Sequence, residues 1–102
     1  MAFDKTRERY ASFGIATSLS HELINTIWDV LDNYLKGVVP LEEELTFHLI
    51  KREDKLSIQY LDKKNSIIIV FDYATSFDPF FPHTVCLIDE GGIETILLPY
   101  EL

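Results

Sequence analysis

The stretch Ile67-Ile-Ile-Val-Phe71 is apolar at every position. Five residues are far too few to cross a membrane as a helix, which takes roughly 20. Read as a strand, Ile67, Ile69 and Phe71 fall on one side and Ile68 and Val70 on the other. A strand that is apolar on both faces belongs at the centre of a sheet. Whatever this chain folds into must therefore cover two sheet faces.

The clearest helix spans residues 20–36. Leu23, Ile24, Ile27, Trp28, Leu31, Tyr34 and Leu35 recur at three- and four-residue spacing and make one wide apolar stripe. Ser18 or Ser20 can cap the start, Glu22 suits the N-terminal end of the dipole and Lys36 the C-terminal end. Gly37 is the expected stop. Before it, residues 9–17 read as a strand, in which Gly14 suggests a bulge or a close packing contact. After it, Leu45-Thr-Phe-His-Leu49 and Leu56-Ser-Ile-Gln-Tyr60 alternate and are joined by the charged turn Arg52-Glu-Asp-Lys55. A second turn, Asp62-Lys-Lys-Asn65, leads into the all-apolar strand, so the three make an antiparallel meander. Thr84-Val-Cys-Leu-Ile88 and Ile93-Glu-Thr-Ile-Leu-Leu98 flank Gly91-Gly92 and read as a hairpin.

The expected class is α+β. One N-terminal helix packs on an antiparallel sheet of five to six strands, in the order β-α-β-β-β-β-β, as a single domain over residues 1–102. One helix covers one face only. The other face needs the sheet to curl back, an aromatic loop, or a second subunit, and a homodimer is the expectation taken forward.

Certain residues carry a resemblance. Arg9-Tyr-Ala-Ser-Phe-Gly-Ile-Ala-Thr-Ser-Leu19, then Glu22-Leu-Ile, Trp28 and Tyr34-Leu-Lys-Gly-Val-Val-Pro-Leu41 resemble a family of short uncharacterised proteins of low-GC Gram-positive bacteria and their phages, known as a domain of unknown function. The likeness covers about residues 9–41 and implies a small cytoplasmic bacterial protein. It transfers no catalytic residue.

Charge and composition narrow the partners. The chain has 17 Asp and Glu against 9 Lys and Arg, a net charge of −8. All the basic residues lie before residue 72, and the last 31 residues carry six acids and no Lys or Arg. Nucleic-acid binding needs basic residues against phosphates, so it is not expected. The N-terminal ten residues carry five charges and no apolar run, so no signal peptide is expected, and the chain is read as cytoplasmic.

Few residues offer chemistry. Cys86 is the only cysteine, so no disulfide or thiolate zinc site forms within the chain. It lies three residues from His83 in a predicted strand, where the two side chains point to opposite faces, so a buried, inert thiol is expected. No two of His21, His48 and His83 have metal-ligand spacing. Glu42-Glu43-Glu44, Asp72 with Asp78, and Asp89-Glu90 are paired acids, but the chain has little material for a glycosidase-type cleft. No Gly-rich turn follows a strand, so no cofactor is expected, and enzyme activity is disfavoured.

The unusual segment is the loop Asp72-Tyr-Ala-Thr-Ser-Phe-Asp-Pro-Phe-Phe-Pro-His83. It holds Tyr73, Phe77, Phe80 and Phe81 among two prolines and two acids. Aromatics on a stiff loop are the residues that anchor protein interfaces. The sequence therefore reads as a small acidic protein-interaction module with those four aromatics as its partner-binding residues. The competing reading is a small-molecule-binding or enzymatic domain with a pocket between helix and sheet.

Overall fold

A computed structural model describes residues 2–102. The elements run β1 (Glu8–Ala11), α1 (Phe13–Ser18), α2 (His21–Val30), a π-helical turn (Leu31–Leu35), β2 (Glu44–Arg52), β3 (Lys55–Asp62), β4 (Ile67–Ser76), β5 (Thr84–Glu90), β6 (Ile93–Leu97) and a final 3-10 turn (Pro99–Glu101). Six strands form one sheet in the order β1-β6-β5-β2-β3-β4. The class is α+β, as read from the pattern.

Three parts of that reading are corrected. The sheet is mixed, because β1 pairs parallel with β6 (Glu8 opposite Ile93, Ala11 opposite Ile96), while the other four pairings are antiparallel. The described residues form two α-helices rather than one. The first takes most of the segment read as a strand over residues 9–17, of which only Arg9, Tyr10 and Ala11 lie in β1. Ser12 turns the chain: its side chain accepts from the Ile15 N–H at 3.2 Å and caps α1. A partner distant in sequence completes the turn. The Glu101 carboxylate accepts from Ser12 Oγ at 2.6 Å, from the Gly14 N–H at 3.1 Å and from the Leu98 N–H at 2.8 Å. Gly14 is needed for close approach, since a Cβ there would sit 2.8 Å from Leu98 Cδ1.

The third correction concerns β4. Among the described residues it is an edge strand, paired only with β3, not a central one. Ile67, Ile69 and Phe71 pack against the core, while Ile68 is 62% exposed and Val70 36%.

The long helix matches its signals. Ser20 caps α2 by accepting from the Leu23 N–H at 3.2 Å, and Glu22 lies in the first turn. The last turn widens, with the Lys36 N–H donating to the Leu31 carbonyl at 3.0 Å, an i to i−5 bond. Gly37 then takes φ +76° and ends it. Leu23, Ile27, Trp28, Leu31 and Leu35 are buried against Leu45, Phe47, Leu49, Leu56, Ile58 and Tyr60 of β2 and β3, and Val85, Leu87 and Ile96 of β5 and β6. Burying each such side chain contributes about 1.5–3 kcal/mol. Phe3, fully buried, joins this core from the N-terminal segment, its N–H donating to the Asp89 carboxylate at 2.8 Å.

The two sheet edges differ. β1 is four residues long and carries Glu8 and Arg9. β4 is ten residues long and carries one charged residue, Asp72.

Candidate interaction surface

The loop read as residues 72–83 is shorter in the fold, because pairing with β3 carries β4 on to Ser76, opposite Lys55. Residues 77–83 form the loop proper, and its base is fixed at both ends. The Phe77 N–H donates to the Asp54 carbonyl at 3.1 Å, and the Leu49 N–H donates to the His83 carbonyl at 2.9 Å. Between them Asp78 makes a tight turn. Its carboxylate accepts from the Phe80 N–H at 2.8 Å, and its carbonyl accepts from the Phe81 N–H at 2.9 Å.

This turn separates the four aromatics. Tyr73, Phe77 and Phe81 are half-buried and pack against the core. Phe77 and Phe81 meet edge to face, with centroids 5.7 Å apart. Burial pushes the Tyr73 hydroxyl above its ordinary value. Phe80 points out and is 92% exposed. A small cleft of about 120 Å³ lies beside them, lined in part by Ser20, Glu22, Leu23 and Phe81. The four residues read as one set thus divide into three that close the margin of the core and one that projects from it.

At least one acid of each cluster has a structural partner. Asp72 accepts from Ser57 Oγ and faces Arg52 at 3.3 Å. Glu42 pairs with Lys64 at 3.1 Å. Asp89 accepts from the Gly92 N–H at 2.8 Å, which shapes the hairpin turn. Gly91 and Gly92 both take positive φ there, as their pairing in sequence suggests. The histidines are dispersed. His21 is exposed at the start of α2, His48 is half-buried with Nδ1 3.3 Å from Gln59 Oε1, and His83 lies in the aromatic loop. Cys86 is buried in β5, and burial followed by the nearby Glu44 pushes its thiol pKa up.

A feature missed by the sequence reading lies under α2. Glu94 is fully buried and accepts from Arg9 Nε at 2.9 Å and from Thr6 Oγ1 at 2.6 Å. Arg9 also grips Asp32 with both terminal nitrogens, at 2.7 and 2.6 Å, and lies 4.4 Å over the Trp28 ring. Asp32 is held below the usual carboxylate range, first by Arg9 and further by Lys36. The only sequence signal was the alternation itself, which places Glu94 and Ile96 on one face.

Together these features define a small α+β domain with one mixed sheet, helices on one face and a single ring presented on a fixed loop. The chain belongs to the family described as Staphylococcal protein of unknown function (DUF960), whose model matches residues 8–101. The resemblance seen over residues 9–41 therefore extends through nearly the whole chain. A crystal structure described as a protein of unknown function from Enterococcus faecalis is similar at 37% sequence identity and a TM-score of 0.94, covering 100% of this chain and 96% of that one. No curated protein matches the chain. Among the described residues, no helix is long and apolar enough to cross a membrane.

Proposed function

We propose that this chain is a small protein-interaction module that docks a partner protein through the loop at residues 77–83, with Phe80 as the anchor. The observation that carries the reading is the fixed exposure of that ring. Phe80 is 92% exposed, yet its own N–H is held by Asp78, and its neighbours Phe77 and Phe81 are packed. An aromatic side chain on a preorganised loop loses little conformational entropy when it is buried by a partner. Such residues dominate binding energy at interfaces, with losses on the order of 2 kcal/mol or more on truncation.

The test compares affinity capture from native cytosol by the unaltered chain and by Phe80→Ala. A protein retained by the first and lost by the second supports the reading, provided the variant melts at the same temperature. Identical capture by both overturns it.

A further inference from the structure

We propose that β4 pairs edge to edge with β4 of a second copy of this chain, joining two six-stranded sheets across a two-fold axis at Val70. This surface is separate from the Phe80 loop, and neither reading rests on the other.

The observation is the state of the edge. β4 is ten residues long and, among the described residues, has β3 on one side and no strand on the other. Sheet edges are normally blunted by being short, charged or broken by proline. The β1 edge is blunted in this way, whereas β4 has no Pro, Lys or Arg, and its one break in register with β3 lies after Asp72, beyond the apolar stretch Ile67–Phe71. It is also apolar along both of its sides. Ile68 and Val70 stand exposed on the face away from the helices, next to Leu61 of β3. Ile69 and Phe71 lie on the helix side, where Tyr34, itself 55% exposed, sits with its ring centroid 5.3 Å from that of Phe71.

An incoming strand would therefore meet apolar side chains above and below. The best match is a strand that is apolar on both faces over its central residues, and β4 itself has that pattern from Ile67 to Phe71. An antiparallel pairing centred on Val70 sets Ile69 opposite Phe71 of the second copy and Ile67 opposite its Tyr73. Aromatic and β-branched residues are favourable cross-strand partners. On the other face, Val70 meets its own counterpart and Ile68 meets Asp72.

The charges permit this register in spite of the net −8. Asp72 is the only charged residue of β4, and Arg52 lies 3.3 Å from it within the same chain. The two Asp72 residues of the pair stand four positions apart along the strands, about 14 Å at 3.4 Å per residue. That exceeds the screening length of about 8 Å at physiological salt. The overlap of residues 67–73 is about 24 Å long. A strip of that length, one sheet thick, stays below the roughly 1,200 Å² of a stable interface. The dimer is accordingly weak and dependent on concentration.

Two lysine variants test both the pairing and its register, and both replace exposed side chains. Val70→Lys sets two ammonium groups directly opposite at the axis. Ile68→Lys sets each lysine opposite Asp72 of the second copy. Sedimentation equilibrium between about 10 μM and 1 mM spans the affinity a small interface gives. The expected result is a reversible dimer of the unaltered chain, a dissociation constant raised at least about tenfold by Val70→Lys, and a dimer retained by Ile68→Lys. A monomer throughout that range for the unaltered chain overturns the proposal. Loss of the dimer in both variants would place the interface on the open sheet face, and retention in both would place it elsewhere; either result overturns edge pairing.

Discussion

Arg9 Nε donates a 2.9 Å hydrogen bond to the carboxylate of Glu94, whose side chain has no exposure to solvent. The two residues lie opposite each other in the parallel pairing of β1 and β6, the one parallel contact of the sheet. That contact therefore carries a buried charge and its counterion. Removing one partner of a buried ion pair costs about 3–5 kcal/mol, much more than replacing both with apolar groups. Glu94 is buried but Arg9 is a quarter exposed, so Arg9→Ala is expected to lose stability toward the lower end of that range in urea unfolding. Arg9→Leu combined with Glu94→Leu should recover the part due to the unpaired Glu94, but not the contacts of Arg9 to Asp32 and Trp28. Equal losses in the two variants would show that the pair is not coupled.

The aromatic loop divides by melting behaviour. Phe80→Ala should change folding stability by under about 0.5 kcal/mol, as at other exposed positions. Phe81→Ala removes a half-buried ring that meets Phe77 edge to face, so about 2–3 kcal/mol is expected, below the roughly 3–5 kcal/mol of a fully buried Phe. Thermal melts of the two single variants read the contrast directly.

Acid stability should depend on two carboxyls. Asp32 is held low first by Arg9, and Glu101 first by Ser12 and then by the Leu98 N–H. A carboxyl depressed in the folded state stabilises the fold above its ordinary value of about 4, and that contribution is lost as pH falls through the lowered one. Replacing them as Asp32→Asn and Glu101→Gln should flatten the fall in stability below about pH 4. Urea midpoints measured across that range provide the check.

The alkaline side has its own group. Tyr60 is buried and its hydroxyl is pushed up to about 12, first by burial and then by Asp62 and Glu42. A raised value favours the folded state while the hydroxyl keeps its proton. That advantage is complete below the ordinary value of about 10 and is lost as pH rises toward 12. Tyr60→Phe should remove this part of the decline, read as the difference in urea midpoint between pH 9 and pH 11.5.

Cys86 should react with a thiol reagent slowly in the folded chain and rapidly in denaturant, since burial both hides the sulfur and disfavours its thiolate. Fast labelling of the native chain at neutral pH would reinstate a nucleophilic role beside His83.

The sequence by itself determined each element whose signal is local. The stripe from Leu23 to Leu35, the Ser20 cap and Gly37 define the long helix because helical period and end chemistry are properties of neighbouring residues. Alternation and short turns likewise define β2 to β4, and Gly91-Gly92 the hairpin of β5 and β6. In the loop, aromatic composition was legible, but the choice of Phe80 as the one projecting ring was made by the Asp78 turn and the packing of Phe77 and Phe81. Only the tertiary structure decided the lateral order of the strands. A strand apolar on both faces announces burial but not by what, and β4 came to the edge with Ile68 and Val70 exposed. Only the tertiary structure made Phe13–Ser18 a helix, because the carboxylate that holds the Gly14 N–H arrives from Glu101, 87 residues away. The burial of Glu94 was decided in the same way, since its counterion Arg9 comes from the opposite end of the chain. Periodicity records which face a residue occupies, whereas the partner on that face is set by contacts that no local pattern contains.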